Sequence, residues 1–371
     1  MSTEGVSKVH SVPAARPRND EGRAPGSGEQ TEGVFSQMIL MSNWQDSKYS
    51  PLRLTKLSLL EATNFSLAAI HLTINILQLF VLPLYLLPKS LWWSLILIPI
   101  AAMNNPFWAL IHEAIHDLLN SSPYVNETVG RLLSIFFGSP FHVLRFTHLS
   151  HHKFNRSPLE KGTEIYDPEA VSRGKAFFSY FFYILCGLYL LEVFSTLFFF
   201  LPPPIFRRLR QRLIDRGDIQ EKWLATKFAD DTLVREIRID GAAICLIFGL
   251  SAYCYREHWQ LLVSLLMIRT FLISFMDNVY HYRTPLYVTV SGHNLSLPPI
   301  FSKLLLNFNL HRVHHRNPSV PWTKLPEVFT QHSERFDRTL FTAALHQLYG
   351  PVPAPDLAAT VTIDKKYLHV S

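Results

Sequence analysis

The 17 histidines of this 371-residue chain are clustered. His112 and His116 form an HxxxH box, and His148, His151 and His152 form an HxxHH box. His311, His314 and His315 form a second HxxHH box. On a helix, residues three and four apart share a face, so each box turns two or three imidazoles to one side. Neutral imidazole is the commonest nitrogen ligand for a transition metal. Chance would supply about 0.04 HxxHH patterns at this histidine content, so two in one chain carry information. Eight imidazoles exceed the roughly four ligands of one tetrahedral zinc site, and two ions fit the supply better. Histidine coordination with open positions suits non-haem iron and oxygen chemistry; zinc does no redox work. The residues themselves do not name the metal.

The elements that must hold these boxes are apolar. Residues 66–87 and 91–111 contain no formal charge, and 176–201 contain only Glu192. Residues 241–255 and 261–276 read as a helical hairpin around Arg256-Glu257-His258-Trp259. About 20 apolar residues cross the hydrocarbon layer as a helix. Lys and Arg decide the orientation, because they accumulate on the cytoplasmic side. Seven precede the first block, seven lie within 112–175, nine within 202–240 and nine beyond the last block. Lys89 and Arg256 are the only basic residues in the two short turns. This pattern needs an even number of crossings between 112–175 and 202–240, where a single block lies. The expected fold is therefore an all-α integral membrane protein with four transmembrane helices. Residues 176–201 are expected to be a re-entrant or in-plane helix, and a cytoplasmic helical cap carries the boxes.

Residues 1–34 read as a disordered tail, 35–345 as the membrane domain and 346–371 as a C-terminal tail. Cys186, Cys245 and Cys254 have no metal-type spacing. The net charge of +6 suits loops beside anionic lipid, and no nucleic-acid motif accompanies it. Glu113 and Asp117 flank the first box and are candidates for holding the far nitrogen of a ligating histidine. Arg145, Lys153 and Arg156 flank the second box and read first as part of the general positive-inside cluster, with a phosphate headgroup or an acidic electron donor as the alternative partners. His142 and His293 lie near the boxes. The chain shows no Cys cluster and no GxGxxG, so electrons are expected from a ferredoxin- or cytochrome-type partner.

The boxes HEAIH, HLSHH and HRVHH at the edge of four spans resemble those of the membrane fatty acid desaturase superfamily, which includes lipid hydroxylases and carotenoid ketolases and hydroxylases. Asn307-Phe308-Asn309-Leu310 before the third box, and Pro318, Pro321, Trp322 and Leu325 after it, are similar to that family's text. The resemblance implies two non-haem iron ions and a further ligand just after the last span, where His281 stands. It places Asp277, with Asn278 beside it, where some members have a water-bridging Asn. It implies an O2-dependent di-iron enzyme that introduces a double bond into a fatty acyl chain. Hydroxylation or ketolation is the alternative, since the boxes do not separate these outcomes. A metal transporter is a distant third reading, because the span interiors carry almost no ionisable residues apart from Glu192 and Arg269. The expected location is a bacterial inner membrane or endoplasmic reticulum, with the boxes on the cytoplasmic side.

Overall fold

The computed structural model describes residues 54–156, 164–217, 219–286 and 288–355. The tail expected at 1–34 lies outside them. By contacts the chain divides into Met1–Leu54 and Thr55–Ser371, and the description below concerns the second unit.

Helix α1 (Leu54–Ile76) continues through a π-helical segment containing Pro83. A short helical run then ends at Ala102, and α2 (Asn104–Ile115) departs from it at 42°. Pro106 explains the bend: a proline ring clashes with the carbonyl four residues earlier, here that of Ala102. Helix α3 (Pro123–Phe137) starts on a proline and stops at Gly138, whose φ of +103° satisfies a left-handed cap. Helix α4 is Phe141–Phe154. A Cβ on Gly130 would stand 2.8 Å from Phe141 and 3.0 Å from Ala114, so this glycine lets α3 approach both α2 and α4.

The apolar stretch Arg173–Phe199 (α5) is one continuous helix. The amphipathic α6 (Pro203–Arg216) and α7 (Ile219–Lys227) follow. Helices α8 (Asp231–Tyr255) and α9 (Trp259–Val279) flank a three-residue 3-10 turn. The chain reverses there. Tyr255 donates to the Gln78 carbonyl, while Arg269 donates to Asn75 Oδ1 only one helical turn away. A straight helix would separate Tyr255 from Arg269 by about 21 Å. Arg256, with φ +45°, marks the reversal.

Three stretches are long and apolar enough to cross a membrane: Leu59–Leu86, Arg173–Phe199 and Asp231–Val279. The bent pair ending at Ile115 makes a fourth if it is one span. Re-entry of α5 is corrected here, because a continuous helix does not double back. Its contacts describe a helix lying across the α8–α9 hairpin. Tyr180 accepts from Asn278, and the Tyr189 N–H donates to Ser274 Oγ, both near the end of α9. Phe199 packs with Val143, Val234 and Ile237, near the start of α8.

Phe107, Leu110, Ala114, Leu133, Phe137, Phe141, Tyr189 and Ile273 form the largest buried cluster. Arg269, 1% exposed, ties it together. Its guanidinium donates to Asn75 and Asn104 side chains and to the Phe136 and Phe137 carbonyls at the end of α3. Those carbonyls have no intrahelical partner and carry the negative end of the helix dipole, which offsets the cation. The packed chain continues past 345: Gln347 is fully buried and accepts from Asn278. Val352 pairs with Ile165 in a short parallel ladder.

Candidate metal centre

The end of α2 carries His112 and His116, α4 carries His148, His151 and His152, and the short α10 (His311–Arg316) carries the third box. His281 follows the last residues of α9. These nine residues form two groups. His112, His116, His148, His152 and His314 converge in one, and His151, His281, His311 and His315 in the other. Within each group the candidate ligand atoms lie within 4.8 Å of one another.

The division follows from helix geometry. At 100° per residue, position i+4 lies about 40° to one side of i and i+3 about 60° to the other. His148 and His152 therefore serve one group while His151 serves the other. The third box repeats the pattern in reverse: His311 and His315 stay together and His314 crosses over. Each HxxHH helix thus contributes to both groups.

In the five-histidine group, Nε2 atoms approach at 3.1 Å (His148–His116), 3.0 Å (His152–His148) and 3.1 Å (His314–His152). In the four-histidine group the spacings are 3.1 Å (His151–His281), 2.8 Å (His311–His281) and 3.0 Å (His315–His311). Ligands about 2.1 Å from a common ion stand about 3.0 Å apart at right angles and about 3.4 Å apart in a tetrahedron. The observed spacings are those of ring nitrogens grouped around a common centre. His112 Nε2 is buried with no hydrogen-bond partner in the structure. An orphaned ring nitrogen inside a ring of imidazoles is costly unless a cation occupies the centre. The donor set therefore fits a pair of metal ions.

Burial is the largest cause holding His148, His152, His281, His311, His314 and His315 well below the ordinary histidine value, with neighbouring imidazoles adding to it. His116 is brought down to about 3 by burial and by the Arg145 cation. The rings are thus neutral at physiological pH, as metal binding requires.

Distant segments lock the boxes in place. Asn126 donates to the Ala114 carbonyl and accepts from the N–H groups of Leu119 and Asn120, fixing the chain after His116. Asn155 donates to the carbonyls of Thr289 and Ser291. Asn307 donates to the Trp322 carbonyl, and Asn309 to that of Leu295. Outside the third box, Arg312 pairs with Glu334 and Asp337, and Arg316 with Glu334.

The flanking residues tie the boxes to other segments. Glu113 accepts from the backbone N–H of Trp322, which joins α2 to the segment after the third box. Asp117 accepts from Arg145 and Asn126. Asn278 donates to Tyr180 and Gln347, bracing α9 against α5 and the C-terminal segment. Asp277 lines a small cavity with Asn105, Trp108, Met276, Tyr280 and Phe308. The Phe308 ring lies 4.8 Å from both His112 and His311, so this cavity borders both groups. His293 bonds the Tyr282 carbonyl. His142 belongs to a third constellation, with Glu127 and Glu236, that the sequence reading missed. Its members are 15, 94 or 109 residues apart, so no local spacing announces it.

A sequence model of the fatty acid desaturase family matches residues 44–343. The chain belongs to that family. A search of curated proteins returned no match. Membership makes this desaturase-family chain an oxidoreductase with a lipid or acyl substrate. All three boxes and His281 fall inside the matched region.

Proposed function

We propose that this chain is an O2-dependent di-iron desaturase that introduces a double bond into a fatty acyl chain within the membrane. The observation that carries the reading is the convergence of nine imidazoles on two adjacent centres beside a small cavity. Unactivated C–H bonds resist acids and bases, and bound iron would supply the O2 chemistry that side chains cannot. Per double bond, the acyl chain loses two hydrogen atoms, which amount to two protons and two electrons, and a donor supplies two more electrons. With two protons from water, one O2 leaves as two water molecules.

The protein's own part is positional. Trp108, Ile273, Met276 and Phe308 offer an apolar wall to the chain and keep water from the reacting carbons. Tyr280 stacks on His311 and Phe308 meets His112 edge-on, holding the cavity against the ligands. In this reading α1, the bent pair, α8 and α9 cross the membrane, and α5 lies in its plane. The boxes then face the cytoplasm, beside the basic loops.

Lipid analysis of cells expressing the chain tests this. New unsaturated acyl chains are expected in air, and none from His315→Ala at equal membrane abundance. Hydroxylated or ketone products, with oxygen retained, would replace the desaturase reading by the hydroxylase or ketolase one.

A further inference from the structure

Lys153 and Lys227 both point at the ring of Trp223, with their ammonium groups 5.7 and 5.3 Å from its centre. Lys153 lies on α4 between His152 and Phe154, whereas Trp223 and Lys227 lie on α7. Cation–π attraction holds both charges around the aromatic plate. The plate leads inward. Its ring stands edge-on to buried Phe154 at 6.2 Å. Phe154 closes the helix that supplies ligands to both metal groups. Gln220 of α7 also donates to Ser150 inside the second box, at 3.2 Å.

The three basic residues flanking the second box have separate fates. Arg145 is paired with Asp117, and Arg156 is buried against Glu164. Lys153 is exposed beside Trp223. Around it, residues 203–229 carry seven basic and three acidic side chains. Arg207, Arg208, Arg212, Arg216 and Lys222 are exposed along with Lys227.

We propose that the Lys153–Trp223–Lys227 face is the docking surface for a small acidic electron-transfer protein. The inference rests on the redox reading above, and it says where each of the donor's single electrons enters. A positive rim around an aromatic centre complements an acidic partner in charge and in contact chemistry. Electron-transfer encounters need only a small patch. Lipid phosphates would match the charge but leave unexplained an aromatic centre that leads through Phe154 to the ligands.

The test is binding of an acidic ferredoxin, and separately of an acidic haem cytochrome, to the metal-loaded protein in detergent. At low salt at least one probe is expected to bind, and to weaken as salt screens the charges. Lys227→Glu, and the double variant Lys153→Glu/Lys227→Glu, are expected to weaken that binding tenfold or more. Lys227→Glu is expected to keep its metal and its turnover with reduced methyl viologen, a small cationic reductant. Equal binding by wild type and both variants, or binding of neither probe by wild type, overturns the proposal. So does a Lys227→Glu defect confined to vesicles containing anionic phospholipid. Failure of the underlying redox reading shows separately, as wild type that forms no product with methyl viologen whatever it binds.

Discussion

Replacing His281 with alanine separates the two metal groups. His281 Nε2 lies 3.1 Å from that of His151 and 2.8 Å from that of His311, so it bridges α4 and α10 in the four-histidine group. Its loss leaves three imidazoles there and all five in the other group. Removing partners that merely orient ligands costs about 10–100-fold in metal affinity, which sets a floor for removing a ligand itself. A loss of about 100-fold is about 2.7 kcal/mol. Metal analysis after a fixed chelator challenge is the assay. Wild type is expected to keep about two ions per chain and His281→Ala about one. His112→Ala, which leaves four histidines in the five-membered group, is expected to keep more metal than His281→Ala. Retention of both ions by His281→Ala would refute the assignment of His281 as a ligand. Loss of both ions would refute the independence of the two groups.

Two further predictions concern what holds the site. Arg269→Met strands the acceptors of Asn75, Asn104 and the end of α3, so thermal unfolding in detergent should show a loss of about 2–4 kcal/mol; an unchanged midpoint would contradict the role given to Arg269. Burial disfavours the Asp337 carboxylate, but His293, Arg312 and the Asn294 N–H outweigh it and bring its pKa from 3.8 to about 2. A depressed carboxylate stabilises the fold above its unfolded pKa and loses that contribution as pH falls through the folded one, here between about 4 and 2. At 29% exposure the contribution is about 1–2 kcal/mol after discounting for solvent. Asp337→Asn should therefore unfold earlier than wild type at pH 7, with the gap narrowing below pH 4; a gap that does not depend on pH would exclude this ion pair as its cause.

What was legible in the sequence was local. HxxHH spacing reports a shared helix face, and apolar block length reports a helix long enough for a bilayer. The hairpin around Arg256 was readable because its turn is short and charged. Nothing local shows that Trp322 finds Glu113, 209 residues earlier, or that Asn278 reaches Gln347. The split of each HxxHH box between two centres is implicit in the helix period, but only the angle between α4 and α10 decides which ring goes where. Residues 176–201 show the limit most clearly. Basic-residue counting required an even number of crossings, yet composition does not tell a turn from a helix laid across its neighbours. Tyr180 and Phe199, touching α9 and α8 respectively, make that distinction through tertiary contacts. Trp223 was overlooked because a lone tryptophan among lysines carries no periodic signal.

The most direct measurement is oxygen stoichiometry in the purified, iron-loaded protein, given an acyl lipid and a chemical reductant. One O2 consumed per double bond formed, with no product under argon, is the expected result. Product formed without oxygen, or oxygen consumed and retained in the lipid, would contradict the account.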